Sequence, residues 1–532
     1  MVIMKFGGTS VQDADAIDRA ARIVRSRQKQ KPVVVVSALA KVTDQLVVIG
    51  HKASSGDSKS AAELVLALKE RHFRVAGDLL GARHCQDIAP KLQKLIAQLD
   101  GFARGLAAVH ELSDRSSDAL LSFGELLSSE IVTAAFALRG LDVVWMDSRE
   151  CLITDASHTA ARPLMDETRK RSQAKLGPII SAGKIPVMGG FIAATAEGIP
   201  TTLGRGGSDF SAAILGAALD AKIIEIWTDV EGMMTTDPRL CPDARTIQRI
   251  SFNEAAELAY FGAKVLHPAT LLPAVQRNIP VYVLNSRNPS GKGTRITAHA
   301  PPGREMFRAI TAKTNVSIVN VVASRGIMVH GFLRSVFEAL DRYGASVDLV
   351  AISEVSMSFT IETKRLPAEL LAELKELADV TCEAKQAIVC LVGEDIHGRP
   401  GIAASVFSTV AEAGVNVRMI SQGASEINIS FVIKEGDVPH AVQQLHARFF
   451  PKDRVGTGVL ARPSRAMLGK YGNDDISGQN GNNPKRGSTD QVQTSFPLRP
   501  VRARLGKRAK SISTRPAKQI RVRRKAIRRK KK

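Results

Sequence analysis

The sequence is poor in cysteine and in the larger aromatics, with five Cys, two Trp and four Tyr in 532 residues. Cys85, Cys151, Cys241, Cys382 and Cys390 are odd in number, widely spaced and never part of a CxxC pair. That argues against a disulfide framework or a zinc site and fits a reducing cytosol. Long apolar runs are missing too. The longest, residues 33–40 and 210–219, fall well short of the ~18 residues a membrane span needs, and the stretch before Lys5 is too short for a secretory leader. A soluble, cytoplasmic chain is expected.

The body of the chain also lacks net charge. The formal charge is +22, but 22 Lys/Arg and only three acids lie between Arg462 and Lys532, leaving 52 basic against 49 acidic residues upstream. Net charge therefore gives no support to polyanion binding by residues 1–461, where a local cationic pocket for a small anion is still allowed. Beyond Arg462 periodicity is lost, and nine of the last twelve residues are basic. Residues 462–532 read as a linker and a disordered basic tail. Such a tail can contact nucleic acid or anionic lipid in a salt-dependent way, yet it has no aromatic after Phe496 to stack on bases. A non-catalytic amino-acid sensor, or a nucleic-acid-binding protein acting through this tail, is the alternative to an enzyme.

Proton-transfer machinery is scarce as well. No Ser/His/Asp, Cys/His or HExxH arrangement occurs, no metal site is expected, and His267 before Pro268 reads as structural. What is present is 44% hydrophobic and 24% charged residues, enough for about three folded units at roughly 150 residues each. Through residue 300, β-branched runs at 33–36, 142–145, 185–188, 223–226 and 279–283 alternate with longer helical patterns. Most are apolar on both parities, which predicts a mainly parallel sheet with helices on each side and ligands at the strand C-termini.

Past a turn-rich joint at 285–293 and 301–303, one unit is written twice. Gly331, Ser335-Val336-Phe337, Gly344 and Val347 recur 70 residues later as Gly401, Ser405-Val406-Phe407, Gly414 and Val417. Ser358-Phe359 recurs 72 residues later as Ser430-Phe431. Each copy reads strand, glycine-opened helix, strand, turn, strand: in the first, 317–322, 332–343, 346–352 and 356–361. Gly344 and Gly414 suit the left-handed position that stops a helix. A duplicated small unit beside a catalytic domain points to regulation.

Three loops carry the chemistry. Lys5-Phe6-Gly7-Gly8-Thr9-Ser10 follows a strand and precedes a helix, so backbone N–H groups, a helix dipole and the Lys5 ammonium converge where a phosphate can sit. Gly204-Arg205-Gly206-Gly207-Ser208-Asp209 opens a small-residue helix and adds a guanidinium suited to a carboxylate or phosphate. Trp227-Thr228-Asp229 through Gly232, then Thr235 to Arg239, lie at a strand end where a nucleotide could rest. Glu125 and Lys264 sit in otherwise apolar helical stretches, and burial would force each to find a partner. Phosphoryl transfer to a carboxylate needs no general base, because that nucleophile is already ionised near neutral pH. The barrier is repulsion between two anions, which positioned cations and N–H groups offset by on the order of 3 kcal/mol each.

In this order, residues 5–10, 34–38, 122–128, 204–209, 227–232, 235–239 and 261–272 resemble aspartate kinase of the amino-acid kinase family. The repeats resemble its paired ACT domains. The resemblance implies an αβα sandwich over 1–295, two ferredoxin-like βαββαβ ACT units at 310–383 and 384–455, successive or interleaved, and ATP- and Mg2+-dependent phosphorylation of L-aspartate to 4-phospho-L-aspartate. It implies that Lys5, Phe6, Gly7, Gly8 and Ser37 hold phosphates, with Lys5, Arg205 and Asp209 catalytic, Asp209 by orienting cations. Thr228, Asp229, Met234, Arg239, Lys264 and Val265 would line the ATP site; Met234 stands where relatives often carry an aromatic. Thr43, Glu125, Arg205, Gly206, Gly207 and Ser208 would bind aspartate, Glu125 through the α-ammonium. Met328, Phe332, Leu333, Val347, Asp348, Ser353 and Glu354 would surround an amino-acid effector, lysine or its rival threonine. Dimers or higher homo-oligomers built through ACT pairing are implied as well.

Overall fold

The computed structural model describes residues 1–262, 268–300, 305–323, 331–396, 399–422 and 427–451. The tail expected over 462–532 lies outside the described residues. The β-branched runs form the strands β1 (Val2–Phe6), β2 (Pro32–Val36), β3 (Val143–Met146), β4 (Ile185–Gly189), β5 (Ile192–Ala194), β6 (Pro200–Thr202), β7 (Ile223–Thr228), β8 (Arg249–Ser251), β9 (Val281–Asn285) and β10 (Thr294–Thr297). Eight of them make one sheet in the order β3-β4-β2-β1-β7-β9-β10-β8, and β5 with β6 makes a separate hairpin. From β3 to β9 neighbours run parallel; β10 turns back antiparallel to β9.

Helices cover both faces. On one face lie α1 (Ala14–Ser26), α2 (Val42–Ser54), α3 (Ser58–Val109) and α4 (Asp114–Leu138), packed with Val2, Met4, Phe6, Val34 and Val36. On the other lie α5 (Met165–Ser181), α6 (Gly207–Ala218), α7 (Phe252–Tyr260) and α8 (Leu272–Gln276), packed with Ile3, Val33 and Val35. The period of two along β1 thus sends Lys5 to the α6 side with Ile3. Local chemistry starts the helices: Asp13 accepts the Ala16 N–H at 2.8 Å to begin α1, and Ser251 with Glu254 forms a reciprocal cap on α7. Helix α3 is broken at Gly81 (φ 72°, ψ 166°), a backbone state glycine supplies without steric cost. Helix α4 is long and apolar enough by composition to cross a membrane, but 72% of that window is buried inside the fold.

The second sheet is antiparallel. Strands β11 (Ala309–Val322), β12 (Val347–Ile352), β13 (Ser356–Glu362), β14 (Asp379–Val392), β15 (Met419–Ser421) and β16 (Asn428–Lys434) are ordered β12-β13-β11-β14-β16-β15. Helices α9 (Phe332–Arg342) and α10 (Ala368–Leu377) pack on one half, α11 (Ile402–Glu412) and α12 (Val438–Phe449) on the other. Gly344 (φ 59°) and Gly414 (φ 69°) follow the repeated helices in the left-handed conformation. One expectation needs correction: the first strand of the repeat begins at Ala309, not at 317. The reason is pairing. The near half of β11 runs beside the far half of β14, and the far half of β11 beside the near half of β14, so each 14-residue strand serves both units.

Candidate active site

The C-terminal ends of β1, β2, β4 and β7 line up, and the turns that follow are fused to the sheet. Gly7 N–H donates to the Trp227 carbonyl (3.0 Å), Ser37 N–H to Phe6 (3.1 Å) and Gly190 N–H to Val36 (2.7 Å). Above these turns opens a cleft of about 550 Å³ whose lining includes Lys5, Gly8, Ser37, Thr43, Glu125 and residues 204–209. Two sequence segments and one helix interior, expected separately, therefore meet in one cavity. Phe6 lies beneath it, buried and stacked on Trp227.

Lys5 is 8% exposed, and its Nζ lies 2.6 Å from Asp209 Oδ1 as an ion pair without hydrogen-bond alignment. Asp209 sits in the first turn of α6, which starts from Gly206 in the left-handed conformation (φ 72°). Glycine is required here by space as well. A Cβ on Gly207 would meet the Phe191 ring at 2.6 Å, and one on Gly190 would meet Ser208 Cβ at 2.7 Å. Arg205, between Gly204 and Gly206, is exposed and makes no ion pair among the described residues, leaving its guanidinium for a ligand.

Glu125 is 3% exposed on α4, where the alternation of small and apolar residues draws the helix onto β4: a Cβ on Gly189 would meet Glu125 Cβ at 2.8 Å. Its Oε1 accepts the Ala38 N–H at 3.2 Å, while the buried Oε2 has no partner. Burial pushes its carboxyl up to about 8, against the opposing pull of that N–H and of the Lys5 charge. A buried carboxylate with one idle oxygen, facing a cleft, is built to receive a cationic group. Ser128, one turn on, donates to the Ser37 carbonyl at 2.8 Å and fixes the turn after β2.

Several cleft residues escaped the sequence reading: Lys41 and Phe191, both non-glycine residues at positive φ, and Thr159 and Thr202. Nothing in their local sequence marks them, since tertiary packing alone brings them to the cavity.

Of the residues expected around a nucleotide, Thr228, Asp229, Met234 and Arg239 are not among those lining this cleft. Thr228 ends β7 beside the Gly7 turn, and its hydroxyl donates to Asp229 at 3.3 Å. Arg239 is exposed and forked onto Asp237 (2.6 Å), which raises its basicity further. Met234 is half-buried and bridges Thr246. Lys264 and Val265 lie outside the described residues.

Comparison with known proteins now decides the family. Residues 1–285 match the model of the amino acid kinase family, and residues 389–449 match an ACT domain model. Aspartokinase 3, chloroplastic, of Arabidopsis thaliana is 36% identical over 481 residues, covering 87% of this chain and 85% of its own length. Lysine-sensitive aspartokinase 3 of Escherichia coli is 37% identical over 460 residues, covering 85% and 99%. The crystal structure of E. coli aspartokinase III in complex with aspartate and ADP, R-state, superposes with a TM-score of 0.73 at 36% identity, over 85% of this chain and all of that one. The chain belongs to the aspartokinase family. It is an allosteric kinase with the family's α/β fold and C-terminal ACT domain.

Within the aspartokinase ACT sheet, the expected effector residues are partly gathered. Phe332, Leu333 and Val347 pack around the core of the first unit. Asp348 has a 4% exposed side chain and already faces an ammonium, that of Lys313 at 2.6 Å, while Tyr260 of α7 donates to the same oxygen at 3.2 Å. Ser353 caps the turn into β13 by accepting the Ser356 N–H at 3.1 Å, and Glu354 is exposed. Met328 lies outside the described residues.

Proposed function

We propose that this chain transfers the γ-phosphoryl group of MgATP to the β-carboxylate of L-aspartate, giving 4-phospho-L-aspartate and ADP. A β-carboxylate oxygen forms the new P–O bond, the bond from the γ-phosphorus to the β–γ bridging oxygen breaks, and no proton moves in the step. The observation that carries this reading is the meeting of Lys5, Arg205 and the buried Glu125, whose Oε2 has no partner, in one cleft. Glu125 takes the substrate α-ammonium, with Thr43 beside it. Arg205, Ser208 and the N–H groups of Gly206 and Gly207 take carboxylate oxygens. Lys5, with Gly7, Gly8 and Ser37, screens the transferring phosphoryl group, and Asp209 holds the Lys5 ammonium in place. Thr228, Asp229, Met234, Arg239, Lys264 and Val265 receive the nucleotide, and Mg2+ arrives with it as part of the substrate.

In this reading residues 1–295 are catalytic, 310–383 and 384–455 are the two ACT units, and the reaction is the first step toward lysine, threonine, methionine and diaminopimelate in the cytoplasm. An end-product amino acid restrains it through the effector residues, lysine ahead of threonine, because the E. coli relative is named lysine-sensitive. Homodimers form through the ACT sheet. Trapping the acylphosphate as a hydroxamate, with ATP, Mg2+ and either aspartate or glutamate, tests the reaction. Product from aspartate and little from glutamate is expected; equal rates, or none, would refute it. Added lysine should lower the rate with aspartate.

A further inference from the structure

A second buried carboxylate lies two helical turns before Glu125 on the same face of α4, and nothing above uses it. Asp118 is 0% exposed. It accepts a hydrogen bond from His158 Nδ1 at 2.7 Å, from the Thr159 N–H at 3.0 Å to each carboxylate oxygen, and from the Thr202 hydroxyl. A single carboxylate therefore ties α4 to the loop before α5 and to the hairpin strand β6. Thr159 and Thr202 both line the cleft.

The loop needs that hold. Thr159 has φ 67°, a left-handed backbone that a β-branched residue adopts only under constraint. Its carbonyl is pressed against the turn that presents Arg205: a Cβ on Gly204 would lie 3.0 Å from Thr159 O. The next residues are stitched down as well, Ala161 N–H donating to the Thr202 carbonyl at 2.9 Å. Release of Asp118 would let Thr159 relax to negative φ, moving one cleft wall and the support under Gly204 together.

We propose that Asp118 and His158 are positioning residues for the amino-acid end of the cleft: by holding Thr159 in the left-handed conformation they fix the distance between the Glu125 wall and the Arg205 turn. The inference rests on reading the cleft as the aspartate site, and a wild-type chain that makes hydroxamate from aspartate establishes that reading separately. In the full-length protein, Asp118→Asn and His158→Phe should each raise the KM for aspartate about tenfold, with kcat and the KM for ATP within about twofold of wild type. The decisive variant is Asp118→Asn combined with Thr159→Gly. Glycine takes positive φ without being held, so the double variant should recover most of the lost aspartate affinity, which a merely structural role for Asp118 would not allow. If an active wild type is accompanied by an unchanged aspartate KM in His158→Phe and Asp118→Asn, the proposal fails. It fails equally if Asp118→Asn loses kcat and both KM values together and Thr159→Gly restores nothing.

Discussion

Glu125 shows how much one residue's surroundings decide. Its pKa in the folded chain is raised by burial to about 8, above the ordinary 4.5. A carboxyl raised in this way contributes stability that is complete below pH 4.5 and is lost as pH climbs through about 8, where the ionised form is forced into the interior. Glu125→Gln, which cannot ionise, should therefore lose less melting temperature between pH 7 and pH 9 than wild type does in parallel scans. In the proposed reading, a substrate ammonium beside Oε2 would reverse the preference and ionise the group. Aspartate binding at pH 7 should then release about one proton, and far less at pH 9, when the carboxyl is already charged. Calorimetry in buffers of different ionisation enthalpy reads this directly. Lys5 is the complementary case: Lys5→Ala removes a buried cation beside the Gly7 turn and should lower kcat by roughly 100- to 1,000-fold with the circular dichroism spectrum unchanged.

At the scale of elements, the site depends on strand ends that meet helix starts without side chains between them. Gly190→Ala would put a Cβ 2.7 Å from Ser208 Cβ and 2.8 Å from Ser208 Cα. Because the obstacle is partly backbone, α6 must move, carrying Arg205 and Asp209 with it. The variant should melt lower by about 1–3 kcal/mol of stability and show a raised aspartate KM. These elements also mark what could be read in advance. The runs at 33–36 and 223–226 are apolar on both parities, so a doubly covered parallel sheet was legible, and the glycine clusters flagged the turns. Glu125 was legible because a lone acid in an apolar helix needs a partner. The break of α3 at Gly81 was not, since glycine inside a helical pattern is common, and neither was the reach of β11, whose first half pairs only with a strand some 80 residues away in sequence. Thr159 and Phe191 stayed hidden for the same reason: their backbone states are imposed by neighbours distant in sequence.

At the scale of the molecule, α7 fastens the catalytic part to the ACT sheet. Glu254, fully buried, accepts the Arg308 Nε at 3.2 Å and the Glu394 N–H at 3.0 Å; Glu257 accepts from Asn428 at 2.7 Å; Tyr260 reaches Asp348. These residues are three apart, one stripe of the helix. Replacing Arg308 by Met removes a counter-charge from the interior while leaving Glu254 there, and should cost about 3–5 kcal/mol in denaturant unfolding. The basic tail carries a different expectation. A chain ending at Arg462 should keep its turnover and its melting temperature, and a folded but inactive truncation would show that the division into body and tail is wrong.

In the proposed reaction, aspartate and nucleotide meet over the Lys5–Gly8 turn without a proton-abstracting side chain. A crystal structure of this chain with aspartate and ADP measures it most directly. It should place the substrate α-ammonium on Glu125 Oε2 and a β-carboxylate oxygen within hydrogen-bond reach of the groups around Lys5. Aspartate lodged elsewhere, with its α-ammonium away from Glu125 and its β-carboxylate away from Lys5, would contradict it.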